Sequence, residues 1–311
     1  ISNKISDDFS TYEKLLSTQF SYLTPENAAK WGPVHPHEDT WNFGPLDKIV
    51  DFAEQHGMEV KGHALIWFMQ LPQNDYLENL SDQEFSEAVK NHIFTLMGRY
   101  KGRIQAWDVV NEAIVVNGAH EADYGVSLRD NIFLQKMGED YIEQVYRWAH
   151  QADPKAKLIY NDFGNEGLGE KSDQVYKLIA HLKSRKQPVA IHEVGMQMHL
   201  DASSYANPAD IVANMRRLED LGVTVNISEL DVQLKNLSGS QAQKLAKQKQ
   251  VYFDIVSTCV HEPACTAVTF WGFTDRHSWI DSWMGPDDPL LFDEDILPKP
   301  AYYGVRNAFL Q

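Results

Sequence analysis

Short apolar runs alternate along this chain with longer amphipathic stretches, and that alternation limits it to a parallel α/β architecture. The runs are Phe20–Leu23, Glu59–Ile66, Gln105–Val110, Lys157–Tyr160, Val194–Met198, Val223–Ser228 and Ala267–Phe270. Between them, apolar residues recur at helical spacing over Leu46–Gln55, Asp82–Tyr100, Ile132–Gln151, Ser172–Ser184, Pro208–Leu221 and Gln241–Thr258. A last helix is expected over Ala301–Leu310. This pattern predicts a (β/α)8 TIM barrel with one strand unaccounted for, since the polar start Ile1–Ser10 offers no strand. The competing fold is a doubly wound open sheet. It usually carries a glycine-rich phosphate turn, and neither GxGxxG nor GxxxxGK[ST] occurs here.

Polar and aromatic residues crowd the C-terminal ends of the expected strands. Glu26 and Asn27 follow the first, His63, Trp67 and Gln70 the second. Asn111 and Glu112 end the third, Asn161 and Asp162 the fourth, Gln197 and His199 the fifth, Glu229 and Asp231 the sixth, and Trp271 the seventh. In a closed barrel these ends converge on one face, where barrel enzymes keep their active sites.

The 311 residues suit one barrel domain over 1–311, with no linker or low-complexity block to divide it. The net charge of −16 argues against nucleic acid and anionic membranes as partners and leaves a neutral polysaccharide as an easy one. No apolar run approaches the length of a membrane span. The two cysteines, Cys259 and Cys265, read either as a small-loop disulfide, which implies an oxidising compartment, or as two buried thiols. The chain begins at Ile1 without an initiator Met or signal peptide, which processing or trimming would explain.

Glu112 lies in Trp107-Asp108-Val109-Val110-Asn111-Glu112. A carboxylate directly after an apolar strand is backed by the core, and burial raises its pKa, as a general acid requires. Glu229 lies in Ser228-Glu229-Leu230-Asp231, where alternation puts Glu229 and Asp231 on one side. The same rule puts Gln197 and His199 on one side of the preceding strand, with His199 in reach of both carboxylates. A histidine so held suits a nucleophile that must stay ionised. Two carboxylates across a barrel mouth are the minimum apparatus for glycosidic cleavage. One protonates the leaving oxygen while the other attacks the anomeric carbon; once the nucleophile is glycosylated, the first acts as base toward water. Trp31, Trp41, Trp67, Trp271, Trp279 and Trp283 fall in or near the strand-end loops and suit stacking on sugar rings, whereas Trp107 and Trp148 suit the core.

At these residues the chain resembles glycoside hydrolase family 10, the (β/α)8 endo-β-1,4-xylanases, over almost its whole length. The motifs are Thr24-Pro25-Glu26-Asn27 with Lys30-Trp31, Gly62-His63-Ala64-Leu65-Ile66-Trp67 with Gln70-Leu71-Pro72, and Trp107 to Glu112. To these are added Gly195-Met196-Gln197-Met198-His199, Ser228 to Asp231, and Thr269-Phe270-Trp271-Gly272 with Ser278-Trp279. The resemblance implies a retaining mechanism with Glu112 as acid/base and Glu229 as nucleophile, supported by Asn111, His199 and Asp231. Asn111 would bond the 2-hydroxyl of the sugar being cleaved, with His63 and Gln197 on that ring or on the catalytic carboxylates. Glu26, Asn27 and Lys30 would hold the next xylose on the non-reducing side, and Trp67, Gln70, Tyr160, Trp271 and Trp279 would line the sugar site. It also implies a Cys259–Cys265 bridge, no cofactor, no metal, xylan and xylo-oligosaccharides as partners, a secreted protein and a monomer.

Two departures stand out. Phe68 occupies the position where the family commonly has His, so the cleavage subsite is expected to be less polar there, with an altered pH profile. The family's first strand normally lies just upstream of the segment matching Asp8–Gln19, and here it is missing or replaced. An endoglucanase and a carbohydrate-binding barrel without catalysis are the alternatives; the latter should have lost one of the two glutamates. His35-Pro36-His37-Glu38 reads as a solvated loop, not a metal site. Asp287-Asp288 and Asp293-Glu294-Asp295 lack calcium-loop spacing, and His192-Glu193 lacks the second His of HExxH. The sequons at Asn79 and Asn236 matter only in a eukaryotic host, and Asn226 reads as buried.

Overall fold

A parallel strand needs a crossover to reach its neighbour, and in such a sheet both faces of the strand are buried. The computed structural model describes residues 9–73, 75–118 and 120–311, and it follows this logic. The chain forms two compact units, Ile1–Asp162 with Asp173–Val194, and Phe163–Ser172 with Gly195–Gln311. The N-terminal residues where a replacement first strand would fall, 1–8, lie outside the described residues.

The first unit opens with α1 (Phe9–Gln19), a helix that the sequence pattern did not single out, and β1 (Tyr22–Leu23). There follow α2 (Trp31–Val34), α3 (Gly44–Gln55), β2 (Glu59–Gly62), α4 (Asp82–Arg99) and β3 (Ala106–Asn111). A small antiparallel hairpin, β4 (His120–Glu121) and β5 (Ser127–Leu128), precedes α5 (Ile132–Met137), α6 (Tyr141–Ala152) and β6 (Lys157–Asp162). The unit boundary falls within α7 (Glu170–Ser184) and β7 (Glu193–Met196).

Strands β1, β2, β3 and β6 pair in parallel in that order, with Gly62 opposite Trp107 and Asn111 opposite Asn161. Every residue of β3 is buried, as a strand covered on both faces must be. Trp107 and Trp148 are core residues, as expected. The single helix expected over Ile132–Gln151 is instead two. Gly138 adopts φ 75, accessible at little cost only to glycine, and its N–H closes α5 on Leu134 O at 2.9 Å.

The second unit contains β8 (His199–Asp201), α8 (Pro208–Glu219), β9 (Thr224–Gln233), α9 (Gln241–His261) and β10 (Cys265–Phe270). A 3-10 turn (Asp275–His277), α10 (Ile280–Trp283) and α11 (Pro300–Phe309) complete it. Strands β8 and β10 pair in parallel with β9. The strand expected over Val223–Ser228 continues to Gln233, so it carries Glu229 and Asp231 within its length. A disulfide joins Cys259, near the end of α9, to Cys265 at the start of β10, which resolves the choice that spacing left open. Helix α11 packs closely on α9, where a side chain at Gly304 would meet the backbone oxygen of Lys249 at 2.5 Å.

Candidate active site

In the first unit the site grows from the ends of β2, β3 and β6. Asp108 on β3 accepts from His63 Nδ1 at 2.8 Å and lies 3.0 Å from Lys61 Nζ on β2, all three groups being buried. A carboxylate buried with a lysine must keep that partner, and here it also sets which ring nitrogen of His63 stays available to other groups.

Past Asp108, the strand ends on Asn111 and Glu112. Asn161 Nδ2 donates to Asn111 Oδ1 at 2.9 Å, and Asn111 Nδ2 donates to Glu112 Oε1 at 3.1 Å. This relay fixes both the amide and the carboxylate. Glu112 has φ 58, the left-handed region that a residue with a side chain enters at a cost. The conformation is held by Glu112 N–H on Asn161 O at 2.9 Å and by Arg129 Nε on Glu112 O at 2.9 Å. The Arg129 guanidinium in turn lies 4.3 Å from the centre of the Phe68 ring.

Lys30, buried, donates to Asn27 Oδ1 at 3.1 Å and stands 4.6 Å from the Trp67 ring centre. Asn27, Lys30 and Trp67 are thus brought together, with Glu26 half-buried beside Asn27. Gln70 is exposed at φ 50, and its carbonyl accepts from Gly32 N in α2 at 2.7 Å. Tyr160 is fully enclosed and its hydroxyl donates to Asp162 at 2.6 Å, so its ring offers no face to a ligand. Trp31 and Trp41 are likewise engaged: Trp31 stacks on His92 at 4.2 Å and Trp41 on His35 at 3.8 Å. His35 belongs to that ring stack, and among the described residues no group of three or more His, Cys, Asp or Glu could hold a metal ion.

In the second unit, β8 lies beside β9 with His199 opposite Asp231. His199 Nδ1 is 2.7 Å from Asp231 Oδ2, and Nε2 is 3.2 Å from Glu229 Oε2. Trp279 Nε1 donates to the same Asp231 oxygen at 2.9 Å. Burial alone would strip the proton from His199, but Asp231 and Glu229 outweigh it and push the imidazole up to about 10. At neutral pH it is therefore a cation that donates to both carboxylates. Gln197, buried, accepts from Glu229 N at 3.1 Å through its backbone oxygen, and Trp271 N donates to Leu230 O at 3.2 Å. Met198, between Gln197 and His199, takes φ 58, and the strand expected to run through here is divided into β7 and β8. Glu166 is a further acid of this unit: burial raises its carboxyl, against its own backbone N–H and the charge of His199.

The model of the family described as glycosyl hydrolase family 10 matches residues 1–308. The chain belongs to glycosyl hydrolase family 10. "Endo-1,4-beta-xylanase B" of Thermotoga neapolitana is 37% identical over 300 residues, covering 96% of this chain and 83% of that one. "Endo-1,4-beta-xylanase A" of Humicola insolens is 36% identical over 307 residues, covering 98% and 78%. The solved structure of xylanase 10B from Thermotoga petrophila RKU-1 in complex with xylobiose is 37% identical, with a TM-score of 0.91 over 99% of this chain and 91% of that one. The fold class of this family 10 glycoside hydrolase is the (β/α)8 barrel that its strand–helix alternation predicted. Asp108 and Arg129 were not singled out for a site role by sequence, the visible signal being only that Asp108 is a polar residue within an apolar run, whereas Asn161 was among the polar residues at the strand ends.

Proposed function

We propose that this family 10 hydrolase is an endo-1,4-β-xylanase that cleaves internal xylosidic bonds with retention, using Glu229 as nucleophile and Glu112 as acid/base. The observation that carries the reading is the bridge His199 makes between Asp231 and Glu229. A cation at that position favours the ionised carboxylate, the form in which Glu229 attacks the anomeric carbon. Glu112, oriented by Asn111, gives its proton to the leaving oxygen. Glycosylation of Glu229 removes a negative charge, after which Glu112 takes a proton from the water that hydrolyses the intermediate.

The names of the relatives and the xylobiose in one solved neighbour support xylan as the substrate. Asn27, Lys30 and Trp67, already gathered, would hold a xylose, with Glu26, Gln70, His63, Gln197, Trp271 and Trp279 completing the sugar site. The disulfide agrees with work outside the cell, and among the described residues no helix is long and apolar enough to cross a membrane. A single 1–311 catalytic domain acting as a monomer without cofactor belongs to the same proposal. The test is digestion of xylan and of a soluble cellulose derivative, following the product anomer by NMR. Initial β-anomer from xylan is expected. Initial α-anomer refutes retention, and activity only on the cellulose derivative refutes the substrate.

A further inference from the structure

Trp283 has no role in the site described above, yet its indole is 66% exposed and the neighbouring Met284 46% exposed. Among the described residues no aromatic ring stacks on it. Leaving apolar side chains in water is unfavourable, and two adjoining ones offer a surface that a ligand with an apolar face can cover.

The local hydrogen bonds locate it. Trp283 ends α10, one turn after Trp279, and the backbone between them is helical, with Ser282 N on Trp279 O at 3.1 Å and Met284 N on Ile280 O at 2.7 Å. Residues four apart lie on the same helix face. At one end of this turn Trp279 Nε1 holds Asp231, the partner of His199. At the other end, Lys235 Nζ donates to Met284 O at 2.6 Å. Asp287 accepts from the backbone N–H groups of Leu234 and Lys235 at 2.9 and 3.1 Å, and its own N–H donates to Asp281 at 3.1 Å. The turn is therefore tied at both ends to β9, through Asp231 inside the strand and through the residues directly after it, the strand that carries Glu229.

We infer that Trp283, with Met284 beside it, is an outer sugar platform: a xylosyl unit of a chain already held at Glu229 lays its C–H face on the indole. This rests on the xylanase reading and extends it to a subsite beyond the scissile bond. A flat, exposed indole offers the apolar face, and a xylosyl unit stacked on it adds binding to the chain as a whole. The consequence is a preference for longer chains.

The test compares kcat/KM for xylotriose and xylohexaose in the wild-type protein, in Trp283→Ala and in Trp283→Phe. The loss in Trp283→Ala is expected to be about five- to tenfold larger on xylohexaose than on xylotriose, with most of it restored by Trp283→Phe. The melting temperature should not change, because the side chain is exposed. An equal loss on both lengths, or no loss on either, overturns the platform and leaves the xylanase reading intact. A wild-type protein that cleaves neither oligosaccharide overturns both.

Discussion

At Glu112 the backbone accepts an unfavourable φ of 58 so that the carboxylate leaves the end of β3 where Asn111 can reach it. Such strain persists only where neighbours over-determine it, and Asn161 and Arg129 do so here. If Glu112 is the proton donor, Glu112→Ala should lose about 10²–10⁴-fold in kcat on xylan. It should lose far less in the first step on an aryl xyloside whose leaving group needs no proton, as pre-steady-state release of the phenolate would report. A comparable loss on both substrates would remove Glu112 from that role. Asp108 presents a different case, since it is fully buried with Lys61 and His63. Asp108→Ala leaves a lysine charge buried without its partner and should cost about 3–5 kcal/mol in denaturant titration. Phe68, where a histidine was the commoner expectation, faces the guanidinium that holds Glu112 O, so its contribution is apolar and positional.

Among the elements, α9, β10 and α11 form a block whose stability can be argued from the chain alone. The Cys259–Cys265 bridge closes a short loop with a sequence separation of 6. Loop-closure entropy for a ring of that size is about 2 kcal/mol, so replacing both cysteines by serine should lower unfolding free energy by about that amount while leaving the fold intact. Gly304 is the second sensitive point: a methyl group there meets the Lys249 backbone oxygen at 2.5 Å, and backbone cannot swing aside as a side chain can. Gly304→Ala should force α11 off α9 at a cost of about 1–3 kcal/mol, read as a lower melting temperature. Helix α4 offers a milder control. Its capping box joins Ser81 and Glu84, and Ser81→Ala should cost about 1 kcal/mol.

For the molecule as a whole, the titration of His199 links the site to stability. Its folded pKa, about 10, lies above the ordinary 6.5, so the stability it adds is complete below about 6.5 and is lost as pH rises through about 10. The stability difference between wild type and His199→Gln should therefore shrink between neutral pH and pH 10, measured by urea unfolding across that range; a constant difference would mean His199 carries no charge in the fold. Much of this protein could be read without coordinates. Strand and helix order follows from hydrophobic period, and the two glutamates announce themselves as carboxylates at the ends of apolar runs. Other features were not legible for physical reasons. The helical period runs on past Gly138, so the break between α5 and α6 depends on a backbone conformation that no period encodes. The family resemblance put Tyr160 in the sugar site, yet only packing reveals that its ring is enclosed. Parallel strands are joined through helices, so side chains that touch come from distant segments: His63 and Asp108 are 45 residues apart, and His199 and Asp231 are 32 apart. Sequence by itself determined the class of fold and which carboxylates follow the apolar runs, because burial and periodicity are local. Tertiary structure alone decided that His199 is charged and that Asn161 orients Asn111, because strand register chooses hydrogen-bond partners.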